Sequence, residues 1–388
     1  MANNTGITED TGRAGGVAVA ERVAAAHALW MSTLPTIRRA PVGELLPQPL
    51  RTAELELRTE PIAAPALVVG GAIAGGHGPI SDLAVSSDGS RLVAVHYGDD
   101  VVSIIDTATL AVTATITDVP EPSRVAVADR AYVSSASDSD DALVAIDTEM
   151  GRALAATIVD ESAAGIAVSP AGDVVYVGRN GDDVVDIAAV DVETGATAVI
   201  EVSTVPGASL DTIRVSADGA RVFAAVTTPA GGSLAIVGTR RGAVQRTVAL
   251  GESVGDVAVH PRGRTVFATG WDSELGGVVY AVDVTAGRVV DTIALGGLPT
   301  QLVFGPGGAT VFVVDRDQIV VLCTATHEVV DSVVIGGQLS CLAVGPDGSR
   351  LYAADYAGAI TELRVEAGAS DPLRELVTAE LRELQAAR

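Results

Sequence analysis

The sequence predicts an all-β fold, a seven-bladed β-propeller, and three observations carry that prediction. Short runs of Val, Ile and Ala alternate with Gly and Asp turns, which is the pattern of antiparallel strands joined by hairpins. The pattern recurs about every 40 to 47 residues with four strands per unit, the period of a propeller blade. The last unit lacks a fourth strand, and a spare strand precedes the first unit.

Residues 83–116 form the clearest unit, LAVSSDGSRLVAVHYGDDVVSIIDTATLAVTATI. Turn residues divide it at Asp88-Gly89, at Gly98-Asp99-Asp100 and again after Asp106. Asp-Gly pairs tolerate the positive φ angles that tight hairpins require. The unit is therefore interpreted as four consecutive strands, A to D.

The third apolar residue of each strand A marks the phase of the repeat. In chain order these marks are Val85, Val127, Val168, Val215, Val259, Phe304 and Val344. A single four-stranded sheet cannot bury both of its faces, but sheets arranged in a closed ring can. The marks therefore predict seven blades.

The two ends of the repeat array predict how the ring closes. After GPDGSRLYAADYAGAITELRV the final unit has strands A, B and C but no strand D. Residues 66–73 (ALVVGGAI) precede the first strand A as other D strands precede theirs. Pairing residues 66–73 with the last blade would complete it and hide two sheet edges.

These motifs resemble a known family. The run SSDGSRLVAVHYGDDVVSIIDTATLAVTATI, with its echoes SPAGDVVYVGRNGDD and GPDGSRLYAADYAG, resembles the YVTN-type propeller repeat, which is related to the lactonase-like propellers. The chain also resembles stress-regulated propellers of mycobacteria, and its Ala-rich, lysine-free composition is typical of actinobacteria. The resemblance spans residues 66–365 and implies a fold more than a function, because binding scaffolds, lactonases and redox proteins share this fold.

The charge balance restricts the partners. The 388 residues include 49 Asp and Glu against 25 basic residues, all arginine, for a net charge of −24. Such a surface repels phosphate backbones and anionic lipids, so nucleic-acid binding is not expected. The lack of lysine excludes a phosphate loop and Schiff-base chemistry. An unknown protein or small-molecule ligand is expected as the partner.

The termini and cysteines give further expectations. No secretory signal or apolar run of about 18 residues occurs, which favours a cytoplasmic protein without a membrane span; export to the cell envelope without a recognisable signal is the alternative. Only Cys323 and Cys341 are present, so a disulfide framework is excluded. Both are expected as small buried residues, and a single inter-blade disulfide is the alternative.

The chain divides into three predicted regions. Residues 1–60 form an N-terminal arm, partly disordered, with one helix over residues 17–31; residues 61–369 form the propeller. Residues 370–388 form an amphipathic helix whose apolar face comprises Leu373, Leu376, Val377, Leu381 and Leu384. That face is expected to dock on the protein itself, with oligomerisation through the terminal helices as the alternative.

Propeller sites gather where the B–C loops and D–A connections converge. The B–C loops carry many carboxylates against Arg179 and Arg316: Asp99, Asp100, Asp138, Asp140, Asp141, Asp182, Asp183, Asp272, Glu274, Asp315, Asp317 and Asp355. We expect an acidic face that binds a cationic partner, or Ca²⁺ or another divalent metal. The alternative is that Asp and Gly only close the turns.

A second candidate set lies three residues before the phase marks, where innermost strands line the channel. It comprises Asp82, Arg124, Gly165, Thr212, Asp256, Gln301 and Cys341. This ring suits a small polar ligand or trapped water. One residue before the marks, Arg214 stands where most units have alanine, which makes it the leading candidate site residue; an ion pair in the channel is the alternative.

Single residues at the loops complete the candidate ligand site. Trp271, assigned to the B–C loop of the fifth blade beside Asp272, is expected to contact a ligand or to cap the channel. His96 ends strand B of the first blade, and Arg316 is a rare base among the B–C loops. Residues 251–255 (GESVG) match the nucleophile-elbow pattern but join two strands, so Ser253 is not assigned as a nucleophile.

These observations favour a non-enzymatic binding or scaffold propeller that holds its ligand at the acidic B–C face and channel mouth. No catalytic residue, metal ligand or cofactor is assigned. The alternative is a lactonase-like, metal-assisted hydrolase, for which the first candidates are Asp82, His96, Arg214 and Asp256.

Overall fold

The computed structural model describes residues 66–73, 76–136, 141–159, 162–182 and 184–366. Within these ranges 28 strands form seven four-stranded antiparallel sheets. The predicted all-β, seven-bladed propeller is confirmed. The predicted arm and both terminal helices lie outside the described residues.

The strands of blades 1 to 3 follow the closing strand in chain order. They are β1 (Ala66–Ile73), then β2 (Ile80–Val85), β3 (Arg91–His96), β4 (Val101–Asp106) and β5 (Ala111–Ile116) of blade 1; β6 (Pro122–Val127), β7 (Ala131–Ser135), β8 (Ala142–Asp147) and β9 (Arg152–Ile158) of blade 2; and β10 (Ser162–Val168), β11 (Val174–Asn180), β12 (Val185–Asp191) and β13 (Thr197–Ser203) of blade 3. A short 3-10 helix, Tyr97–Asp99, joins β3 to β4.

Blades 4 to 7 have the same plan. They comprise β14 (Ser209–Val215), β15 (Arg221–Thr228), β16 (Gly231–Gly238) and β17 (Ala243–Ala249) of blade 4; β18 (Ser253–Val259), β19 (Thr265–Asp272), β20 (Gly276–Asp283) and β21 (Arg288–Ala294) of blade 5; β22 (Pro299–Phe304), β23 (Thr310–Asp315), β24 (Gln318–Cys323) and β25 (Val329–Val334) of blade 6; and β26 (Leu339–Val344), β27 (Arg350–Asp355) and β28 (Ile360–Glu366) of blade 7.

The ring closes as the sequence predicts. Strand β1 pairs antiparallel with β28, from Ala66 opposite Glu366 to Ile73 opposite Ile360, and so supplies the outer strand of blade 7. The innermost strands contact one another in order around the ring, and β26 contacts β2. Leu67 of β1 is buried among residues of blades 6 and 7, so the closing strand takes part in the core.

The hydrophobic core lies between the blades. Seven clusters of buried residues are found in the described part of the chain, one at each junction between neighbouring blades. Phe223, Phe267 and Phe312 are among the largest fully buried side chains. Each blade buries both faces only because it has a neighbour on each side. Both cysteines are free thiols, and Cys341 lies in the cluster between blades 7 and 1.

Short side-chain motifs shape the A–B turns. In blade 1 the Ser86 hydroxyl donates to Asp88 Oδ1 at 2.6 Å, and the Ser90 N–H donates to the same oxygen at 3.0 Å. These hydrogen bonds lower the pKa of Asp88 to about 2. Gly89 follows at φ 75°, a left-handed conformation that glycine adopts without strain. Ser216 and Asp218 repeat the arrangement in blade 4.

Antiparallel connection gives the ring two different faces. The B–C loops and the D–A connections lie at one end of the strands and form what we call the B–C face. The A–B and C–D turns lie at the other end and form the A–B face. Most candidate residues of the sequence analysis belong to the B–C face or to the adjoining part of the innermost strands, whereas Arg214 lies next to the A–B end of β14.

Candidate functional site

A β-bulge occurs at the same place in the A strand of every blade. The pairing of strands A and B shifts register beside Asp82, Arg124, Gly165, Thr212, Asp256, Gln301 and Cys341. These are the ring positions nominated from the sequence. A bulge leaves a residue out of the ladder and redirects its neighbours, so the innermost strands present backbone N–H groups and polar side chains near the B–C end of the channel.

Three ring side chains bind the backbone of the next blade. Asp82 Oδ2 accepts a hydrogen bond from the Val125 N–H at 3.0 Å, and Asp256 Oδ2 accepts one from the Leu302 N–H at 3.0 Å. Gln301 Oε1 accepts from the N–H of the corresponding residue of blade 7. These side chains therefore hold neighbouring blades together, a role that the sequence analysis did not consider.

Arg214 and Asp256 meet inside the ring. Arg214 Nη2 lies 2.9 Å from Asp256 Oδ1, and its Nη1 donates to Thr212 Oγ1 at 2.8 Å and to the Ile213 carbonyl at 2.9 Å. The Asp256 side chain is 7% exposed, whereas that of Arg214 is 33% exposed. The guanidinium thus neutralises a buried carboxylate and still presents a surface to the channel.

Two further charged residues of the ring, Asp82 and Arg124, are related electrostatically to Arg214. Burial raises the pKa of Asp82 above its usual value, and Arg124, the Val125 N–H and Arg214 act against that rise. Arg124 also donates through Nε to the Ala164 carbonyl of blade 3 at 3.2 Å. Two sequence-predicted residues, Asp82 and Arg124, therefore share one electrostatic environment with the Arg214–Asp256 pair.

Asp211 belongs to this group and was missed by the sequence analysis. It is the bulged residue of β14, and Thr227 Oγ1 donates to its Oδ2 at 3.2 Å. Burial raises its pKa to about 6, against the effects of that hydrogen bond and of Arg124. The sequence did contain a signal for Asp211. It lies four residues before its phase mark, and the other six blades have Ser, Ala, Gly or Thr at that position.

We call Asp82, Asp211, Asp256, Arg124 and Arg214 the channel cluster. Its three carboxylates and two guanidinium groups leave one excess negative charge when all are ionised. The raised pKa values of Asp82 and Asp211 show that part of this charge is poorly solvated. A cationic group entering the channel would restore favourable interactions to those carboxylates.

Trp271 and Asp272, nominated from the sequence as residues of the channel rim, both lie in strand β19 of blade 5. Trp271 is in strand β19, opposite Ser253 and Gly277, and not in a loop as the sequence analysis assumed. Asp272 ends that strand and accepts hydrogen bonds from the Glu274 and Leu275 N–H groups. The aromatic residue was misplaced because the apparent insertion lengthens β19 and β20 instead of the turn between them.

Arg316 occupies the B–C turn of blade 6. It is exposed, has a φ of 62°, and its carbonyl accepts a hydrogen bond from the Leu339 N–H at 2.9 Å. The positive φ places this residue in the tight turn between β23 and β24. Its guanidinium is therefore presented at the B–C face by a two-residue hairpin.

Two residues expected at the acidic face are internal. Arg179 is buried and forms a bidentate ion pair with Asp186, with N–O distances of 2.7 and 2.9 Å. Asp315 is 3% exposed and accepts the Leu298 N–H at 2.5 Å. Sequence reasoning placed both in loops because Asp315 ends β23 and Arg179 is the penultimate residue of β11. At the end of a strand B the sequence pattern does not distinguish a side chain that points into the blade from one in the loop.

His96 is separate from the channel cluster in its contacts. It is buried at the end of β3, where its ring nitrogens contact the Gly78 carbonyl at 3.1 Å and Ser103 Oγ at 3.0 Å. It lines a cavity between blades 7 and 1. Of the four residues proposed for a hydrolase, Arg214 and Asp256 are in contact, Asp82 is linked to Arg214 only through the effect of that charge on its pKa, and His96 contacts none of the other three.

The B–C face is acidic. Three of its carboxylates tie a B–C loop to a D–A connection or to the strand that follows it: Asp99 accepts a hydrogen bond from the Gly78 N–H, Asp100 from the Glu121 N–H and Asp141 from the Ala163 N–H. Asp272 and Asp355 close their own turns, which is the role given above as the alternative. Other exposed acidic residues of this face close no turn with their side chains: Asp118, Asp182, Glu252, Glu274 and Asp317. Asp138, Asp140 and Asp183 lie outside the described residues.

Arginine is concentrated at the opposite face. In the described ranges, the arginines in or next to the A–B and C–D turns are Arg91, Arg130, Arg152, Arg221, Arg240, Arg241, Arg262, Arg264, Arg288 and Arg350. At the B–C face the exposed arginine is Arg316. The carboxylates of the A–B face are thus accompanied by many arginines, and those of the B–C face have one exposed arginine among the described residues.

The described residues contain no group of three or more His, Cys, Asp or Glu side chains placed to hold a metal ion. They also contain no helix that is long and apolar enough to cross a membrane.

A closed ring of seven four-stranded sheets around a charged channel defines the class, and the chain belongs to the seven-bladed β-propeller proteins. It is 35% identical over 290 residues to the seven-bladed beta-propeller protein Rv1057 of Mycobacterium tuberculosis, covering 65% of this chain and 73% of that protein. A chain of hydrazine synthase from Kuenenia stuttgartiensis matches with a TM-score of 0.67 and 20% identity, over 76% of this chain and 97% of that chain. This second likeness concerns the fold alone. No protein-family model matches the sequence.

Proposed function

We propose that this propeller is a binding protein whose B–C face receives a positively charged segment of a partner protein. The observation that carries the proposal is the unequal distribution of arginine between the two faces of the described ring. Turn chemistry explains the Asp residues of both faces equally well. It does not explain why one face has compensating cations and the other has Arg316 alone among its exposed arginines.

The channel cluster supports the same partner chemistry. A propeller face with an electronegative surface around a narrow mouth concentrates the field toward its axis. Asp82 and Asp211 lie below that mouth with raised pKa values. A cationic side chain that reached the channel would find carboxylates whose charge is only partly compensated by Arg124 and Arg214.

The test is binding of a fluorescent nine-residue Arg/Lys peptide, measured by anisotropy at low and at physiological salt. The face variant carries Asp182→Arg, Glu274→Arg and Asp317→Arg, three exposed residues whose side chains close no turn. The control variant carries Asp129→Arg, Glu149→Arg and Glu193→Arg on the A–B face, with the same change in net charge. We expect the face variant to lose about tenfold or more in affinity, and the control variant to stay within about threefold.

Equal losses in the two variants would mean that net charge alone attracts the peptide, and the proposal would then be wrong. Calcium is the competing occupant named by the sequence analysis. Calorimetric titration of the same two variants with CaCl₂ separates the cases, since a metal site would respond to the ion without the peptide. The repeat motif also supports a narrower proposal, that the chain is of the YVTN type.

A further inference from the structure

The cavity between blades 7 and 1 is lined by both apolar and reactive groups. Its volume is about 220 Å³, and its apolar wall includes Ile80, Ile105 and Ile360. Its polar lining comprises His77, Thr115, His96 and Ser103, and the last two are each 3% exposed. The cavity is thus large enough for a small organic group and brings it beside a hydroxyl and an imidazole.

The hydrogen bonds of His96 fix its tautomer. Its Nδ1 lies 3.1 Å from the Gly78 carbonyl, which can only accept, so Nδ1 carries the proton. In the neutral ring Nε2 is then an acceptor, and Ser103 Oγ lies 3.0 Å from it. The Ser103 hydroxyl therefore donates to the imidazole, with the imidazole oriented by a third group. This is the arrangement by which histidine activates a serine nucleophile.

The surroundings keep His96 in its neutral, basic form. Burial and the nearby His77 lower the pKa of His96, whereas the Gly78 carbonyl and Asp99 raise it; the net direction is downward. The rings of His77 and His96 lie 5.4 Å apart, and His77 Nδ1 is 3.4 Å from Asp99. These are the titratable groups of the adjoining D–A and B–C connections that act on His96.

The His96–Ser103 pair differs in chemistry from the side chains at the same place in other blades. In blade 2 the corresponding tie to the D–A connection is made by Ser135, whose hydroxyl donates to the Pro120 carbonyl at 2.6 Å. In blade 3 Arg179 donates to the Val159 carbonyl at 2.6 Å and also pairs with Asp186 of strand C, as an ion pair and not as a base beside a hydroxyl. Residues laterally equivalent to Ser103 are Val144, Ala188, Ala235 and Val320 in four other blades, and Tyr280 and Thr361 in blades 5 and 7. Hydroxyl groups therefore recur at this position, and Ser103 differs from the other two in being hydrogen-bonded to an imidazole.

We propose that Ser103 is a nucleophile activated by His96, and that the cavity accepts small uncharged acyl esters. Ser103 Oγ would attack the ester carbonyl carbon while its proton passes to His96 Nε2. The tetrahedral species would expel the alcohol, which takes that proton, and leave an acyl-serine. Water would then hydrolyse the acyl-serine by the same route, releasing the acid and restoring both side chains. The apolar wall and the nearby Asp99 favour an uncharged substrate over an anionic one.

Labelling with an alkyl fluorophosphonate tests the nucleophile directly. The folded protein is incubated with the probe, and the adduct is located by peptide mass spectrometry. We expect one adduct at Ser103, lost in Ser103→Ala. Labelling should slow by about 100-fold or more in His96→Asn, which can still donate to the Gly78 carbonyl. The control is Ser134→Ala, a serine as deeply buried as Ser103 that is hydrogen-bonded to Ser123 and Arg124 instead of a histidine.

A pH profile separates activation from a merely structural hydrogen bond. The labelling rate should rise with pH as His96 loses its proton, with a midpoint below pH 6.5, the ordinary pKa of histidine, because burial lowers the pKa of His96. A folded wild-type protein that gains no adduct at Ser103 would overturn the proposal, whatever the stability of the variants. Equal labelling of His96→Asn and the wild type would overturn the role of His96. The three-residue variant of the B–C face should label normally, so this result is independent of the proposed binding function.

Discussion

One carboxylate, Asp256, links three consecutive blades. Asp256 belongs to blade 5. Its Oδ1 accepts a hydrogen bond from Arg214 Nη2 of blade 4 at 2.9 Å, and its Oδ2 accepts one from the Leu302 N–H of blade 6 at 3.0 Å. Its own backbone N–H donates to Thr269 at 2.8 Å. A single side chain thus satisfies a cation and a buried backbone donor that belong to different sheets.

Asp256→Ala should lower the free energy of unfolding by about 3 kcal/mol, because it leaves Arg214 and the Leu302 N–H without their buried partner. Asp256→Asn should cost roughly half as much, since an amide oxygen can still accept from Leu302. Urea denaturation followed by circular dichroism measures both. The control is Asp272→Ala on the exposed hairpin, and an equal loss in all three variants would contradict this account.

Asp211→Asn should stabilise the protein at alkaline pH. A carboxyl with a folded pKa of about 6 holds its proton more tightly in the folded state than at the usual value of 3.8. The folded state is therefore favoured at low pH and loses stability as the pH rises through 6. Because Asp211→Asn does not ionise, it should raise the free energy of unfolding by up to about 3 kcal/mol at pH 8 and change it little near pH 4. Melting curves at both pH values measure the difference.

Asp218→Asn is the matched control for that experiment. Asp218 lies in the A–B turn of the same hairpin, where hydrogen bonds from Ser216 and the Ala220 N–H lower its pKa. The sign is reversed, so this variant should destabilise the protein at pH 8, with the effect disappearing below pH 3.8. If both variants changed stability in the same direction with pH, the assignment of the two carboxyls would be wrong.

Leu67→Ala should test the closure of the ring. Leu67 is 8% exposed and packs in the cluster between blades 6 and 7. Removing its side chain should lower the free energy of unfolding by about 2 to 4 kcal/mol. Val69→Ala in the same strand is the control, because Val69 is 56% exposed. Both variants are measured by denaturant titration. If the closing strand contributed nothing to the core, Leu67→Ala and Val69→Ala would lower the free energy of unfolding by the same small amount.

Gly165→Ala should disturb the junction of blades 3 and 4. A Cβ at this position would lie 3.0 Å from the Thr212 Cα and from the Ile213 N, both backbone atoms of the next blade. Separating the two innermost strands should cost about 1 to 3 kcal/mol, measured as a lower melting temperature. At Gly98 the nearest atom to such a Cβ is 3.9 Å away, so Gly98→Ala should be nearly neutral.

The repeat period and the hairpin turns were sufficient to predict the fold, its blade number and its closure. Marks such as Val85 and Val344 fall at equivalent positions because each blade satisfies the same alternation of buried and exposed residues. The pairing of residues 66–73 with the last blade followed from counting strands. Both inferences rest on local patterns that every blade repeats.

The site was only partly predictable. Aligning the phase marks located Asp82, Arg124, Arg214 and Asp256, which the structure brings together. It missed Asp211, because a bulge turns a residue of the opposite parity toward the channel, and the signal for Asp211 lies in the comparison between blades and not in the local pattern of its own strand. The pairing of His96 with Ser103 was also missed, since the two lie on different strands and only the register between β3 and β4 makes them neighbours.

The pairing of Ala66 with Glu366 determines how the molecule responds to mechanical load. Because β1 and β28 are antiparallel, the chain enters and leaves the ring at the same end of this pair. A pulling force applied through these two points would break the β1–β28 hydrogen bonds one after another, starting at Ala66, instead of shearing them all at once. Tethering both points to a rigid support would, for the same reason, leave the ring unstretched.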